Sequence, residues 1–156
     1  MSERTDTRTG WLDRETIDAI ATYGVLLKGP LATPVGSGGK SVNVTLRKLF
    51  ETYANVRPAR SYPDIGCLYD DVDLVIVREN NEGLYTGAGG FVFKGTPNEV
   101  AIQEMIYNRF QVERAVRYAF ELARKRKKLG EKAPVGMVTN CTKSNALNYS
   151  MVFWDS

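Results

Sequence analysis

The side chains of this sequence that could do chemistry are arginines, a lysine and a tyrosine, because the 156-residue chain contains no histidine. Ser/His/Asp triads, Cys/His pairs and histidine-based metal sites are therefore excluded. Acid–base chemistry must use Lys, Tyr, Asp or Glu. Lys143 is a candidate base, and Tyr85 could deliver a proton to a carbanion-like carbon. The commoner alternatives are an exposed lysine and a half-buried tyrosine.

Three arginines lie where α/β proteins place binding groups, near strand ends and in the loops after them. Arg78 directly follows an apolar run, Arg57 lies just beyond a helical pattern, and Arg47 lies earlier, within that pattern. Guanidinium groups grip carboxylates bidentately and keep their charge. If the three converge, they form a di- or tricarboxylate site. The alternative is that each is a solvated surface arginine, since most arginines are exposed.

The overall composition is that of a globular domain of mixed charge. The net charge is +3 with the signs interspersed, which indicates neither a nucleic-acid nor a membrane partner. No window approaches the ~20 apolar residues that cross a bilayer, and the polar start lacks the apolar core of a signal peptide. Cys67 and Cys141 are not spaced as a disulfide framework or zinc site, so we expect a cytoplasmic protein.

Alternating strand and helix patterns must position these residues, which predicts the α/β class. The apolar periodicity and the Gly/Pro breaks predict, in chain order, a helix at 13–23, a buried strand at 24–28, a loop at 31–41, a helix from Ser41 or Asn43 to Tyr53, and a strand at 72–77. Residues 55–60 are predicted to leave the second helix. Val100, Ile102 and Ile106 alternate loosely, which favours an extended hairpin arm, with a helix as the alternative.

The last third predicts a helix, a strand and a second helix. Apolar residues from Val112 to Ala123 recur at helical spacing, and the basic run RKRKK at 124–128 ends that helix favourably for its dipole. A nucleic-acid patch is the alternative interpretation of the basic run. Residues 135–139 predict a buried strand, and residues 144–154 predict the start of a helix.

Three segments, taken together, resemble a known family. KGPLATPVGSGGKSVNVTLRKLFETYANVRPARSYP, VDLVIVRENNEGLYTG and TKSNA follow one another as the signature segments of the isocitrate/isopropylmalate dehydrogenases do. The resemblance covers about residues 13–156 and is weakest at 88–110. It implies part of a two-domain α/β fold with a mixed sheet and an intertwined, extended arm.

The resemblance also implies a division of the chain. It assigns residues 11–52 to the edge of the large domain and 53–156 to a truncated small domain for substrate binding and dimerisation. Residues 1–10 are predicted from the sequence itself to be a disordered tail. The chain would then be the central segment of an enzyme, incomplete and inactive alone. A non-catalytic carboxylate-binding or dimerisation module is the alternative.

Roles for single residues follow from the same resemblance. Arg47, Arg57 and Arg78 match arginines that bind the substrate carboxylates, and Tyr85 resembles the proton donor after decarboxylation. The other matches are Lys143 and Asn145, which the family contributes to the neighbouring subunit's site with the lysine as acid–base catalyst, Thr33 near the nicotinamide and substrate, and Ser41 and Asn43 toward a distal carboxylate. A working site would therefore need a homodimer.

The implied reaction is oxidative decarboxylation of a 2-hydroxy acid with NAD or NADP and Mg²⁺ or Mn²⁺. The residues that bind metal and dinucleotide in the family lie downstream of the K-x-N segment, so we expect no metal ligand in this chain. Ser41 and Asn43 favour isocitrate as the substrate, whereas KSNALNYSMVFWD resembles the tartrate and D-malate members. An isopropylmalate-type enzyme is a further alternative.

Overall fold

The computed structural model describes residues 12–31, 41–126 and 136–156. The expected tail at 1–10, the Thr33 site residue and the end of the basic run lie outside these ranges. The elements of the described residues are α1 (Arg14–Tyr23), α2 (Val42–Leu49), β1 (Ala54–Arg60), β2 (Asp73–Glu79), a 3-10 turn (Leu84–Thr86), β3 (Gly89–Val92), β4 (Val100–Gln103), α3 (Arg109–Lys125) and α4 (Ser150–Asp155). None of the described helices is long and apolar enough to cross a membrane.

The chain forms two compact units, which divide between Thr52 and Tyr53. Each unit contains elements that the sequence predicts, such as α1 in the first unit and β2 in the second. The assignment of these units to a large and a small enzyme domain stays a prediction.

In the first unit, α1 begins and ends with standard caps. The Asp13 side chain accepts a hydrogen bond from the Thr16 N–H at 2.6 Å, and this backbone N–H lowers the pKa of the Asp13 carboxyl. At the other end, Gly24 adopts a left-handed φ of 67°, and its N–H bonds to the Ile20 carbonyl. The predicted helix at 13–23 is confirmed with nearly the same bounds.

The second predicted helix ends earlier than expected. α2 starts after Ser41, as predicted, but stops at Leu49 rather than Tyr53. Glu51 has a positive φ of 47°, and the N–H groups of Glu51 and Thr52 bond back to the Lys48 and Arg47 carbonyls. These bonds close the helix because a left-handed residue turns the chain away from the helix axis.

Two predicted strands do not form in the described residues. The 24–28 segment forms no strand, and Leu27 is 99% exposed. Residues 136–139, the described part of the predicted strand at 135–139, are also outside any strand, with Met137 63% exposed. An apolar run becomes a strand only where a neighbour takes up its backbone bonds. Among the described residues neither segment has such a neighbour.

The second unit is built on an antiparallel pair, β1 and β2, in which Ala54 lies opposite Glu79 and Arg60 opposite Asp73. β2 confirms the predicted strand, and β1 shows that residues 55–60 leave the helix to form a strand. Pro58 is tolerated because β1 has no strand on its other side among the described residues.

Helix α3 packs against β2 with the predicted apolar stripe, in which Val112 and Ala115 are buried. Beyond its last turn, Arg126 forms an ion pair with Asp73 of β2. Arg124 and Lys125 lie in the last turn, as the dipole interpretation of the basic run predicts. Asn108 caps the start by accepting the Gln111 N–H at 3.0 Å.

An exposed hairpin arm lies between β2 and α3 in sequence. Its strands β3 and β4 pair from Gly89 opposite Gln103 to Val92 opposite Val100, so the extended alternative for this region is confirmed over the helical one. Phe91, Phe93 and Ile102 are exposed on the arm. An isolated bridge between Gly83 and Ile106 forms the base of the arm.

Two adjacent glycines in β3, Gly89 and Gly90, should differ sharply in their tolerance of alanine. Gly89 has a φ of 144°, and a Cβ there would lie 2.1 Å from the Ile102 carbonyl oxygen, whereas a Cβ at Gly90 meets nothing within 4 Å. We expect Gly89→Ala to destabilise the arm by about 1–3 kcal/mol through backbone strain. Gly90→Ala is the matched control and should be nearly neutral. Hydrogen exchange of the β3 and β4 amides measures both, and equal exchange in the two variants would contradict the prediction.

The last helix begins later than predicted, at Ser150 rather than at Ser144. Residues 144–146 form a turn in which the Ala146 and Leu147 N–H groups bond to the Lys143 carbonyl, and α4 begins only at Ser150. Asparagine favours turns over helix interiors, and Asn145 and Asn148 both lie in this stretch.

Candidate functional site

The β1–β2 pair places two of the predicted arginines on one face. Arg57 lies opposite Ile76, and Arg78 lies opposite Asn55. Because side chains alternate between faces and opposite residues share a face, Asn55, Arg57, Ile76 and Arg78 lie on the same side. The Arg57 Nε atom donates to Asn55 Oδ1 at 3.3 Å. Asp73, which forms the ion pair with Arg126, lies on the other face of the strand pair.

Arg78 also contacts the predicted proton donor. Its Nη2 atom donates a hydrogen bond to the Tyr85 hydroxyl oxygen at 2.7 Å, and its guanidinium carbon lies 5.1 Å from the ring centroid. The bond uses an acceptor position of the hydroxyl, so the tyrosine proton is not the one shared with Arg78. A cation at this position would stabilise a negative charge on the tyrosine oxygen. Tyr85 is 39% exposed, which leaves it accessible to a small molecule.

Bonds at the end of β2 hold the loop that carries Tyr85. The Glu79 carboxylate accepts the N–H groups of Asn81 and Glu82 at 2.8 and 2.9 Å. Asn80 is buried, and its Oδ1 accepts a hydrogen bond from Asn55 Nδ2 at 3.4 Å. On the far side of the 3-10 turn, Gln103 of the arm donates to the carbonyls of Leu84 and Ala88.

Two ionisable groups beside this loop have raised pKa values. Burial raises the pKa of the Glu82 carboxyl above its usual value, and Glu79 adds to the effect. Burial likewise raises the pKa of the Tyr107 hydroxyl, assisted by the charges of Glu79 and Glu82. Tyr107 packs edge-on against Trp154 with the ring centroids 5.4 Å apart. Its hydroxyl would lie 2.8 Å from a Cβ at Gly83, so the loop requires glycine there.

The sequence did not predict the groups around Asp155. The carboxylate accepts hydrogen bonds from Asn140 Nδ2 at 2.8 Å and from the Thr142 hydroxyl at 3.0 Å. The hydroxyl of Ser144 first, and then these donors, lower the pKa of Asp155. The Trp154 indole N–H donates to Asn140 Oδ1 at 3.0 Å. These bonds tie the 140–144 segment to α4, and no periodic pattern in the sequence signals them.

Lys143 and Asn145 follow on this segment with exposed side chains. They lie in the turn before α4 and take no part in the Arg78–Tyr85 contact. The remaining predicted residues belong to the first unit. Ser41, Asn43 and Arg47 are half-buried there, and Asn43 and Arg47, four residues apart on α2, share a face of that helix.

Within the described ranges no three His, Cys, Asp or Glu side chains form a group that could hold a metal ion. The described residues therefore do not by themselves fit a divalent cation. A groove of about 1690 Å³ beside β2 and α3 is lined by Arg78 and Tyr85 as well as by Asn140 and Asp155.

The model of the family described as "Isocitrate/isopropylmalate dehydrogenase" matches residues 2–156. The chain belongs to the isocitrate/isopropylmalate dehydrogenase family. The predicted family is thereby confirmed on almost the full length of the chain. Relatives of this family include both NADP-dependent and NAD-dependent isocitrate dehydrogenases.

Similar curated proteins have several substrates. The chain is 52% identical over 113 residues to the isocitrate dehydrogenase [NADP] of Thermus thermophilus, which covers 71% of this chain and 22% of the relative. It is 43% identical over 150 residues to the tartrate dehydrogenase/decarboxylase of Pseudomonas putida, which covers 93% of this chain and 34% of the relative. The D-malate dehydrogenase [decarboxylating] of Escherichia coli is 39% identical over 151 residues, covering 94% and 35%. The chain thus spans about a third or less of these relatives.

Solved structures agree with the family. The isocitrate dehydrogenase of Methylococcus capsulatus has a TM-score of 0.77 and 41% identity, over 92% of this chain and 40% of that one. The TT0538 protein of Thermus thermophilus has a TM-score of 0.75 and 46% identity, over 92% and 27%. The predicted α/β fold is confirmed as part of the family fold.

Proposed function

We propose that this chain supplies the carboxylate-binding and proton-transfer residues of an oxidative decarboxylase that acts on a 2-hydroxy acid, with isocitrate as its substrate. The observation that carries the proposal is the 2.7 Å hydrogen bond from Arg78 to the Tyr85 hydroxyl, on the strand face that also carries Arg57. It puts a fixed cation and a proton donor within reach of one small anion. NAD or NADP, and Mg²⁺ or Mn²⁺ held by ligands outside the described residues, are the proposed cofactors.

The proposed role of the arginines is to bind the substrate carboxylates. Arg57 and Arg78 share a face, so a dicarboxylate can contact both guanidinium groups at once. By the family resemblance we also propose Arg47 as a carboxylate-binding residue, Ser41 and Asn43 as binding a distal carboxylate, and Thr33 as a residue near the nicotinamide and substrate. Binding through Arg57 and Arg78 would fix the orientation of the carbon that loses CO₂.

Tyr85 is the proposed proton donor. After CO₂ leaves, the substrate carbon holds an electron pair, which takes the hydroxyl proton of Tyr85 to form a C–H bond. The negative charge moves to the tyrosine oxygen, where Arg78 already donates a hydrogen bond. A preorganised donor at the site of the developing charge lowers the barrier without reorganisation at the moment of reaction.

Lys143 and Asn145 are proposed to act in the site of a neighbouring subunit, with Lys143 as the acid–base catalyst. Their exposed position, outside the Arg78–Tyr85 contact, is compatible with contact to a second copy of the chain. A homodimer is the proposed assembly. A cytoplasmic location is proposed because Cys67 and Cys141 are both free thiols.

Two measurements test this function. Calorimetric titration of the purified chain with isocitrate, isopropylmalate, tartrate and D-malate should show binding of at least one hydroxy acid and none of a matched monocarboxylate. A chimera, in which the chain replaces the matching segment of the Pseudomonas putida relative, tests catalysis as nicotinamide reduction with Mn²⁺ and NAD or NADP. Absence of hydroxy-acid binding and of turnover, from folded proteins, would overturn the proposal.

Tartrate and D-malate are the second candidates for the substrate. The isocitrate relative has the higher identity, but the alignment with the tartrate relative extends over 93% of this chain against 71%. Preferential binding of tartrate or D-malate in the titration would replace isocitrate while leaving the reaction class unchanged.

A further inference from the structure

The loop that carries Tyr85 is joined to the start of α3 by one side-chain pair, Glu82 and Asn108. The two Glu82 carboxylate oxygens accept the Asn108 backbone N–H, at 2.8 Å, and a hydrogen from its side-chain Nδ2. The Asn108 Oδ1 atom meanwhile accepts the Gln111 N–H at 3.0 Å as the cap of the helix. Asn108 thus caps α3 and holds the Tyr85 loop with the same amide.

The pair continues a chain of bonds that begins at the end of β2. The Glu82 N–H donates to Glu79 at 2.9 Å, and Glu82 stands directly before the glycine that bridges to Ile106. The loop is therefore held to β2 on one side of Glu82 and to α3 on the other. Tyr85 follows three residues later, in the 3-10 turn.

We propose that Glu82 is a positioning residue: its bonds to Asn108 hold the 3-10 turn against α3 and so keep the Tyr85 hydroxyl in contact with Arg78. This inference rests on the proposed function of Tyr85 as proton donor. The Glu82 carbonyl accepts the Tyr85 backbone N–H at 3.4 Å, so Glu82 acts on the tyrosine through the backbone of the loop.

The electrostatics of the position support a functional reason for a carboxylate there. The charged groups that face Glu82 are Glu79 from β2 and Arg114 from α3. The Tyr107 hydroxyl, whose pKa is raised in part by Glu82, is a neutral neighbour. Burial raises the pKa of Glu82 and Glu79 adds to the effect, whereas Arg114 lowers it. Because the net pKa is raised, the ionised form is less favourable in the folded protein than in the unfolded chain. Protonation stabilises the fold below the usual glutamate pKa, and that contribution is lost as pH rises through the raised pKa. The hydrogen bond from the Asn108 N–H offsets part of this effect by stabilising the ionised carboxylate.

The polarity of the pair allows a rescue experiment. Glu82→Gln places an NH₂ group where one carboxylate oxygen now accepts, so a donor faces the Asn108 donors. Asn108→Asp, added to it, presents a carboxylate that accepts from the glutamine NH₂ while the other oxygen still caps α3. The double variant therefore restores the two bonds with one of them reversed in direction. Glu104→Gln, an exposed glutamate of the same arm, is the matched control.

Hydrogen exchange of the purified chain, read at residues 83–88 and in the middle of α3, is the test. Glu82→Gln should speed exchange at 83–88 by at least ~10-fold, the loss of a charged hydrogen bond, with α3 unchanged. The double variant should return to the parent rate, and Glu104→Gln should not differ from the parent. Unchanged exchange at 83–88, equal loss of protection throughout α3, or no recovery in the double variant would overturn the proposal.

Turnover of the chimera distinguishes a failure of this inference from a failure of the proposed function. In an active chimera, Glu82→Gln should lower kcat with little change in KM, and Asn108→Asp should recover it. An inactive parent chimera refutes the proposed function while the exchange data still decide whether Glu82 holds the loop. Normal kcat together with a loosened loop would overturn the positioning role.

Discussion

Arg78→Ala should weaken binding of the hydroxy dicarboxylate to the purified chain by about 10- to 100-fold, the largest binding effect that we expect. The substitution removes a charged bidentate donor and the hydrogen bond to Tyr85. Loss of a hydrogen bond to a charged group corresponds to about 1.5–3 kcal/mol, and each 1.4 kcal/mol is tenfold in affinity. Calorimetric titration measures the change.

The controls for this prediction separate charge from geometry. Arg78→Lys keeps the charge but not the planar fork, so it should recover affinity only in part. Arg60→Ala removes an arginine from β1 whose position in the strand places it on the other face from Arg57. If Arg60→Ala weakened binding as much as Arg78→Ala, net charge rather than a site would explain the effect.

Tyr85→Phe should lower kcat of the chimera on the order of 100-fold or more, since a positioned acid or base contributes that much or more to a rate. Substrate affinity should change far less, because Arg57 and Arg78 remain. Both kcat and kcat/KM are measured. A loss of the two by the same factor indicates an interaction made only in the transition state.

Tyr69→Phe is the matched control, because this tyrosine is exposed in the loop before β2. It should leave kcat unchanged. A Tyr85→Phe chimera that retained full kcat would remove Tyr85 from the chemistry, and an equal rise in KM alone would make it a binding residue instead.

Local patterns predicted α1, β2 and α3, each of which carries its own periodicity or apolar run. The stripe from Val112 onward predicts α3 because one helix face is enough to bury it against β2. The apolar runs at 24–28 and 136–139 carry an equally strong pattern, yet both are unpaired in the described ranges. A strand depends on a partner that the run itself does not encode.

The site was predicted as a set of residues but not as an arrangement. Residue types indicated Arg57, Arg78 and Tyr85, whereas their proximity depends on the register that sets Asn55 opposite Arg78. That register is decided across the 61–72 loop, which has no periodic signal. The Glu82–Asn108 pair was missed for the same reason, since its partners are 26 residues apart in sequence.

The arm has a consequence for how the chain folds. Its strands meet across the short segment from 93 to 99, and hairpins of this kind form in about 1–10 μs. The Asp73–Arg126 pair closes a separation of 53 residues, a far slower class of contact. The arm can therefore form and open many times before the β2–α3 interface is complete. Insertions at its tip should then be tolerated without altering the register that sets the two arginines.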